Sequence, residues 1–422
     1  MDKFKNLVRK LGTTGFFHIF GSSTLNKIIS FMTSIVLVRV LTKSEYGVFT
    51  YVWNIYGIVQ LLNGMGMGSS ALQIGSECND SEVQINSTFD YCKKIGIRFN
   101  FLLMLVILLI ALFAPLEIQG ASNLFFLLLF LPIIQFLYEL DLVYFRVNKM
   151  NKQYSKMSLL NTVLIFVGSV IGAFIFKEKG MILGYYVAYT CSILVYKRFV
   201  CIDNKSPEST ARLPKKEIIS IGIVSMSNIA ISQLLYLLDV FVLGIIISDE
   251  TVLAGYKVAT IIPSALVFIP QALITYIYPY FASHNNDGEW CLKQYKKILT
   301  GIGLVNSVIS ISLFSLAPFI ITVMFGAQYI DDLIVFRLLA INYFFSGTFR
   351  LISGNLLVTQ KKLKFNFMVA LSSGIINVIA DVVLIRKYGS VGAAIATIIV
   401  VLFTSVVSTT YLLITFRKKV DK

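Results

Sequence analysis

The sequence predicts an all-α integral membrane protein with about twelve transmembrane helices in two six-helix bundles. Hydrophobic residues make up 56% of the 422 residues and charged residues only 14%, whereas soluble chains carry about 25% charged residues. Apolar segments long enough to cross a bilayer, which takes roughly 20 helical residues, recur along the whole chain. Because the bilayer interior offers no water to backbone groups, each segment is expected to be a helix.

The apolar segments fall into two sets of six. They cover residues 15–41, 46–72, 95–116, 121–146, 154–176, 181–196, 218–247, 252–281, 298–325, 330–358, 365–385 and 391–416. The longest loop between them contains Pro207 and Pro214 and separates the two sets. We therefore predict an N-terminal bundle over 1–200, a cytoplasmic linker over 201–216 and a C-terminal bundle over 217–422.

Positive charge is distributed unevenly between the loops. Most of the 37 Lys and Arg residues lie near the two chain ends and in every second loop. The opposite loops hold five of them: Lys43, Lys177, Lys179, Arg386 and Lys387. Because cytoplasmic loops are the ones rich in Lys and Arg, both termini are predicted to be cytoplasmic. The same asymmetry accounts for most of the net charge of +15 without a nucleic-acid partner.

Short sequence matches link the two halves of the chain. They pair Gly47 with Gly255, Gly184 with Gly392, and Val147 with Val358, at offsets of 208, 208 and 211 positions. Each half also has six segments and begins on the cytoplasmic side. The sequence therefore predicts a parallel internal repeat about an axis along the membrane normal.

The loop between the first two segments carries a distinctive motif. Arg39, Glu45, Tyr46 and Gly47 stand in an Arg-x-Leu-x-x-x-Glu-Tyr-Gly pattern. This pattern resembles the hallmark of the Wzx-type oligosaccharide-lipid flippases. These belong to the polysaccharide transporter family, within the superfamily of multidrug, oligosaccharidyl-lipid and polysaccharide exporters.

Two further stretches are similar to the same family. The eighth segment contains Gly255-Tyr256 and Pro270-Gln271-Ala272, and the seventh contains an aspartate, Asp239, shortly before its end. Val240 follows Asp239, where many members of the family have a basic residue.

The resemblance implies a MATE-like fold and a transport function. The expected substrate is an oligosaccharide linked to undecaprenyl pyrophosphate. It would cross from the inner to the outer leaflet of the cytoplasmic membrane by alternating access, for O-antigen, capsule or exopolysaccharide synthesis. A proton or a sodium ion would drive the cycle, a polysaccharide polymerase would be a partner, and no cofactor is expected.

Ionisable residues inside the segments are the candidate site residues, because a charge at the bilayer centre costs at least about 2.5 kcal/mol. Lys27 lies in the middle of the first segment and either contacts an anionic substrate or fills a structural role. Asp239 and Lys257 lie equally far from the short loop between the seventh and eighth segments. They are expected at the same depth, as a salt bridge or as a pair that opens during transport.

Three more residues extend this set. Arg98 and Glu139 are expected to form a structural pair near the cytoplasmic ends of their helices. Arg350 has no acidic residue at its depth in the following segment and is a candidate for binding the pyrophosphate, together with Lys27 and Lys257.

Asp381 and Arg337 lie within about one turn of the same depth near the outer face. A pair is favoured there. The alternative is that Asp381 takes up a proton or a sodium ion during the cycle, since burial favours the neutral form of a carboxyl group.

Other function classes are less compatible with the sequence. A Walker A motif is absent, and the two histidines, His18 and His284, are too few and too far apart for a histidine metal site. A multidrug extruder of the same fold would favour acidic cavity residues, whereas the central groups here are mostly basic. A lipid II flippase usually has fourteen helices. A polymerase or ligase carries a large outer loop, and the outer loops here are short.

The predicted topology can be tested with reporter fusions at Pro207 and at Lys422. Both fusions are expected to give a cytoplasmic signal, since both sites lie on the Lys- and Arg-rich side. The measurement is the ratio of a cytoplasmic to an extracytoplasmic reporter activity. An extracytoplasmic signal at either position would contradict the predicted topology.

Overall fold

Helices account for nearly all of the described backbone. The computed structural model describes residues 16–77, 82–114, 116, 118–199 and 213–420, and within these ranges it contains no β-strand. The predicted all-α fold class is therefore confirmed.

The chain divides into two compact units, Met1–Leu234 and Leu235–Lys422. The first unit contains α1 (Phe16–Val40), α2 (Lys43–Gln60), α3 (Met67–Glu77), α4 (Glu82–Phe113), α5 (Ala121–Leu128), α6 (Leu131–Val147), α7 (Asn151–Phe199) and the beginning of α8 (Lys215–Ile247). The second contains the rest of α8, α9 (Glu250–Leu266), α10 (Phe268–Ser283), α11 (Gly288–Ser315), α12 (Ala317–Met324), α13 (Leu333–Phe345), α14 (Leu351–Thr359) and α15 (Leu363–Val420).

The beginning of α8 packs within the N-terminal unit. Ser70 donates a hydrogen bond of 2.7 Å to the carbonyl of Ile218, and Gly66 lies directly against the backbone of Gly222. The units thus separate within α8, whereas the predicted boundary lies at its beginning. Most of the predicted linker, residues 201–212, lies outside the described residues.

Two very long helices are hairpins. The backbone of α7 leaves the helical region at Phe176 and Lys177. On either side of that point, Gly172 meets Gly180 and Gly168 meets Gly184, backbone against backbone, with no room for a Cβ. In α15 the backbone leaves the helical region at Gly389 (φ 58°). In α7 the contacting residues lie equally far before and after the bend. Its two arms are therefore antiparallel and pack through small residues.

The predicted number of membrane segments agrees with the described helices. Seven helical stretches are long and apolar enough to span a bilayer, and α5 with α6, bent by 43°, makes an eighth. Because α7 and α15 are hairpins, each supplies two passes. Within the described residues, α8 and the interrupted stretch from α2 to α3 complete the twelve.

The internal repeat is visible in the element boundaries. Both α2 and α9 begin after a side-chain cap, Thr42 in the first case and Asp249 in the second, 207 positions later. Lys149 and Lys361 both adopt a left-handed backbone, with φ of 58° and 59°, at the ends of α6 and α14. These lysines are 212 positions apart, as are the hairpin bends at Lys177 and Gly389.

One predicted equivalence needs correction. The sequence paired Gly392 with Gly184, but at an offset of 212 its counterpart is Gly180. Gly180 packs against the backbone of residue 172, and Gly392 packs against the backbone of Leu384, which is 212 positions after residue 172. The offset changes from 207 to 212 along the repeat because the connections differ in length. A single offset therefore cannot align the whole repeat.

A sharp break between α2 and α3 shapes the N-terminal unit. Gly64 and Met65 have φ of 57° and 53°, and a Cβ on Gly64 would collide with the ring of Phe136. The released N–H of Gly64 donates to the Asn100 side chain at 2.8 Å, and Asn100 in turn donates to Asn63 at 2.9 Å. Asn100 thus satisfies the released N–H of the break and holds the Asn63 side chain next to α6.

Candidate functional site

A cavity of about 350 Å³ lies inside the C-terminal unit. Its walls come from α8, α9, α13, the π-helical turn Ser346–Arg350 and both arms of α15. Three predicted site residues line it: Asp239, Lys257 and Arg350. Residues from widely separated parts of the sequence therefore meet in one chamber.

Asp239 is held by three side chains that donate hydrogen bonds. Tyr256 donates at 2.9 Å, Thr397 at 2.7 Å and Asn377 at 3.1 Å. Asp239 and Lys257 are both described and line the same cavity, but they form no ion pair within 4 Å. The predicted salt bridge is therefore not made in this conformation, because hydroxyl and amide donors occupy the carboxylate instead.

Asp381 is the most unusual group in the unit. It is fully buried, at 0% exposure, and neither carboxyl oxygen has a hydrogen-bond donor among the described residues. Its neighbour is the carboxyl group of Asp239, close enough for the two to interact. Two bare carboxylates this close together would repel each other in this apolar setting.

The predicted pair between Asp381 and Arg337 is not formed. The Arg337 side chain donates through Nε to the carbonyl of Phe314 at 3.2 Å, and its guanidinium lies 5.1 Å from the centre of the Phe314 ring. Arg337 therefore packs on α11 and leaves Asp381 without this cation. Counting residues along the helices predicted that Arg337 and Asp381 lie at a similar depth, but it could not predict the direction of the Arg337 side chain.

Lys257 and Arg350 supply the positive charge of the cavity. Both are half-buried. Arg350 ends a π-helical turn, an irregularity that often marks functional sites. The turn is held by the buried side chain of Asn306, which donates to Thr348 at 3.1 Å and accepts from Tyr343 at 2.9 Å.

The remaining charged candidates lie in the N-terminal unit. Lys27 is on an exposed face of α1, and its neighbour Asn26 donates to Ser158 of α7 at 2.7 Å. Arg98 and Glu139 are both described, but they form no ion pair within 4 Å. Glu139 instead accepts hydrogen bonds from two amides, so the predicted structural pair is corrected.

The family motif has a structural role at the start of α2. Thr42 and Glu45 form a reciprocal capping box, and Glu45 makes an ion pair of 2.5 Å with Lys177 at the bend of α7. Partial burial raises the pKa of Glu45, but the hydrogen bonds from Lys177 and Thr42 outweigh it and leave the pKa below its ordinary value. Tyr46 and Gly47 are buried behind this contact, whereas Arg39 is exposed at the end of α1.

Known structures of membrane transporters share this fold. One is the lipid II flippase MurJ in an inward closed conformation, with a TM-score of 0.71, 14% identity, and coverage of 95% of this chain and 89% of that chain. Another is an inward-facing multidrug resistance MATE family transporter of the MOP superfamily, with a TM-score of 0.76, 14% identity, and coverage of 94% and 96%. An outward-facing form of a MATE transporter matches with a TM-score of 0.62 and 14% identity, over 97% of this chain and 95% of that chain.

These likenesses confirm the predicted MATE-like fold. The model of the family described as "Polysaccharide biosynthesis protein" matches residues 36–333, which is more than half of the chain. The chain belongs to this family. No curated protein matches its sequence.

Sequence reasoning missed the uncharged partners of the carboxyl pair. Tyr256, Asn377 and Thr397 are polar residues in apolar helices, and many such residues only satisfy their own backbone. One signal was available, since Asn377 lies one helical turn before Asp381 and shares its face. Tyr256 and Thr397 come from other helices, and only the packing of the unit brings them to Asp239.

The charge of the cavity can be measured with a reporter thiol. We expect Thr260→Cys, in a variant without other cysteines, to react faster with an anionic than with a cationic methanethiosulfonate reagent. A preference of roughly fivefold corresponds to about 1 kcal/mol, the energy of two unit charges 4 Å apart in water. The preference should fall when Lys257→Gln is added. Ser283→Cys, outside the cavity lining, is the control, and equal rates for both reagents at position 260 would contradict a positive cavity.

Proposed function

We propose that this protein is a flippase for oligosaccharides linked to undecaprenyl pyrophosphate. It moves them from the inner to the outer leaflet of the cytoplasmic membrane, for surface polysaccharide synthesis. The observation that carries the proposal is the cavity with Lys257 and Arg350 in a chain of the polysaccharide biosynthesis family. The cavity volume of about 350 Å³ lies within the usual range of small-molecule sites, roughly 300–1,000 Å³.

The two cations suit the most demanding part of the substrate. A diphosphate loses its hydration in an apolar cavity, and fixed positive groups must replace it. Arg350 can bind two phosphate oxygens at once, while Lys257 supplies a compact charge. Lys27 is a third cation, in the N-terminal unit. The polyprenyl chain stays in lipid, because its burial in the protein would bring no gain over the bilayer.

Two other functions are disfavoured by the same groups. A multidrug extruder of this fold would need an acidic chamber for cationic substrates, whereas Lys257 and Arg350 lie in this cavity beside a carboxylate that already accepts three hydrogen bonds. A polymerase would need a catalytic constellation, and the solved structures with this fold are transporters. A polymerase acts instead as a partner that consumes the translocated unit.

Both chain ends lie in the cytoplasm.

The carboxyl groups of Asp239 and Asp381 are proposed as the coupling site. Asp239 accepts hydrogen bonds from Asn377 and Thr397, and its carboxyl group lies close enough to that of Asp381 for the two to interact. Neither carboxyl group makes an ion pair with a described Lys or Arg residue. A proton shared by the pair, or a sodium ion held by these oxygens, would remove the repulsion between them. Loading and release of this cation would then bias the unit between two conformations.

Export of surface polysaccharide in cells tests the substrate cations. Lys27→Ala and Arg350→Ala are each expected to lower export by at least about tenfold, since a charge-assisted hydrogen bond contributes about 1.5–3 kcal/mol. Lys27→Arg should retain more activity than Lys27→Ala, because the charge is the main requirement. Lys179→Ala, which removes an exposed outer lysine, is the matched control at equal protein level. Normal export by Lys27→Ala would move the substrate site to Arg350 and Lys257.

Reconstituted vesicles test the coupling site. Asp381→Asn and Asp239→Asn should each abolish flipping of a fluorescent lipid-linked oligosaccharide that is driven by an ion gradient, because the isosteric amide carries no charge. Asp331→Asn, at an exposed carboxylate, should flip at the wild-type rate. Dependence on a sodium gradient at constant pH would indicate sodium, and dependence on a pH gradient without sodium would indicate a proton. Gradient-driven flipping by Asp381→Asn at the wild-type rate would rule this coupling site out.

A further inference from the structure

A second polar surface lies in the N-terminal unit, away from the cavity of the C-terminal unit. It consists of three pairs of residues spaced four positions apart, each on a different helix. They are Tyr56 with Gln60 on α2, Gln135 with Glu139 on α6, and Tyr185 with Tyr189 on α7. Residues four apart share one face of a helix, so three helices turn a polar and aromatic face toward the same region.

Hydrogen bonds and ring contacts join these faces. Gln60 donates to the hydroxyl of Tyr56 at 2.5 Å, and Tyr56 donates to Gln135 at 3.4 Å. Gln135 donates to Glu139 at 3.1 Å, and Asn63 donates to the other oxygen of Glu139 at 3.2 Å. The network is continuous from α2 to α6.

Aromatic rings extend the surface toward α7. Trp53 stacks on Tyr185 with ring centres 4.5 Å apart, and lies 5.3 Å from Tyr56. Tyr189 packs against Tyr138 at 5.3 Å, and its hydroxyl makes no hydrogen bond with a described residue. We name this surface, made of the three pairs with Trp53 and Asn63, the tyrosine–glutamate face.

Glu139 shows that this face meets water. Its side chain is exposed, it lies within a helix long enough to belong to a membrane pass, and it forms no ion pair with a described Lys or Arg residue. A carboxylate directed at lipid would be costly, and such groups face water-filled cavities. The tyrosine–glutamate face is therefore open to a polar ligand at Glu139, whereas Tyr56 is buried.

The exposed carboxylate of Glu139 can accept more hydrogen bonds than its described neighbours supply. A carboxylate accepts up to about four hydrogen bonds, and Glu139 receives two from described residues. A ligand rich in hydroxyl groups satisfies such acceptors, while the aromatic rings offer apolar faces for a sugar ring. An acidic sugar, which brings another carboxylate, is repelled.

We propose that the tyrosine–glutamate face binds the sugar part of the substrate and selects uncharged, hydroxyl-rich sugars over uronic acids. This inference rests on the proposed flippase function and assigns the sugar class to a site separate from the diphosphate cations. Glu139 acts as a specificity residue, since its charge excludes an acidic sugar. Trp53 and Tyr185 provide the stacking surface.

Binding to the purified protein in nanodiscs tests the assignment. The probes are undecaprenyl diphosphate alone, the same lipid carrying N-acetylglucosamine, and the same lipid carrying galacturonic acid. The chain has two tryptophans, so Trp290→Phe leaves Trp53 as a fluorescence reporter within the face. The protein should bind the N-acetylglucosamine lipid about 5- to 10-fold more tightly than the galacturonic acid lipid, as expected for one or two hydrogen bonds.

Glu139→Gln keeps the shape of the side chain and removes its charge. It should bring the preference close to one by improving affinity for the galacturonic acid lipid, and it should leave undecaprenyl diphosphate unchanged. Glu77→Gln is the matched control, because Glu77 also accepts from a glutamine four positions earlier on an exposed helix face.

The outcomes separate the two proposals. If the diphosphate lipids bind but Glu139→Gln leaves the sugar preference unchanged, the tyrosine–glutamate face is not the selective site. If none of the three lipids binds, the flippase function fails and this inference fails with it. A change in sugar preference without a change for the bare lipid supports the assignment, since a merely structural role would alter all three affinities.

Discussion

The absence of water from the bilayer interior is the constraint on which this structure depends. A polar group placed there must be satisfied by the protein or face a water-filled space. Three donors converge on Asp239 for this reason, and Asn100 takes up the N–H that the break at Gly64 releases. Asp381 departs from the rule, since its buried oxygens have no donor among the described residues and lie near another carboxyl group. That departure is where a mobile cation is expected to act.

The same constraint explains where the helices are irregular. Each unit contains a break held by one fully buried asparagine: Asn100 supports the turn at Gly64, and Asn306 supports the π-helical turn that ends at Arg350. The two asparagines are 206 positions apart, as are the starts of their helices at Glu82 and Gly288. In both units an asparagine at the equivalent position thus supports an irregular stretch of helix, although the irregularity differs between the units.

The repeat has also diverged in charge. The C-terminal unit encloses Lys257 and Arg350 in a cavity. The N-terminal unit exposes Glu139 with tyrosine and amide neighbours, and keeps Lys27 on a separate helix. A substrate with a diphosphate at one end and sugars at the other matches this division, because anionic and hydroxyl groups require different partners. Two copies of one helical layout therefore supply two different chemistries.

The sequence by itself determined the helical membrane fold, the number of segments, the internal repeat and the family. These depend on apolar length, charge asymmetry and a local motif, which are all visible along the chain. It also identified Asp239, Lys257 and Arg350, because a charge in an apolar segment stands out. Tertiary structure alone decided their partners. Depth can be counted along a helix, but the direction of a side chain depends on helix rotation and packing, which is why Arg337 turns away from Asp381 toward a carbonyl of its neighbour.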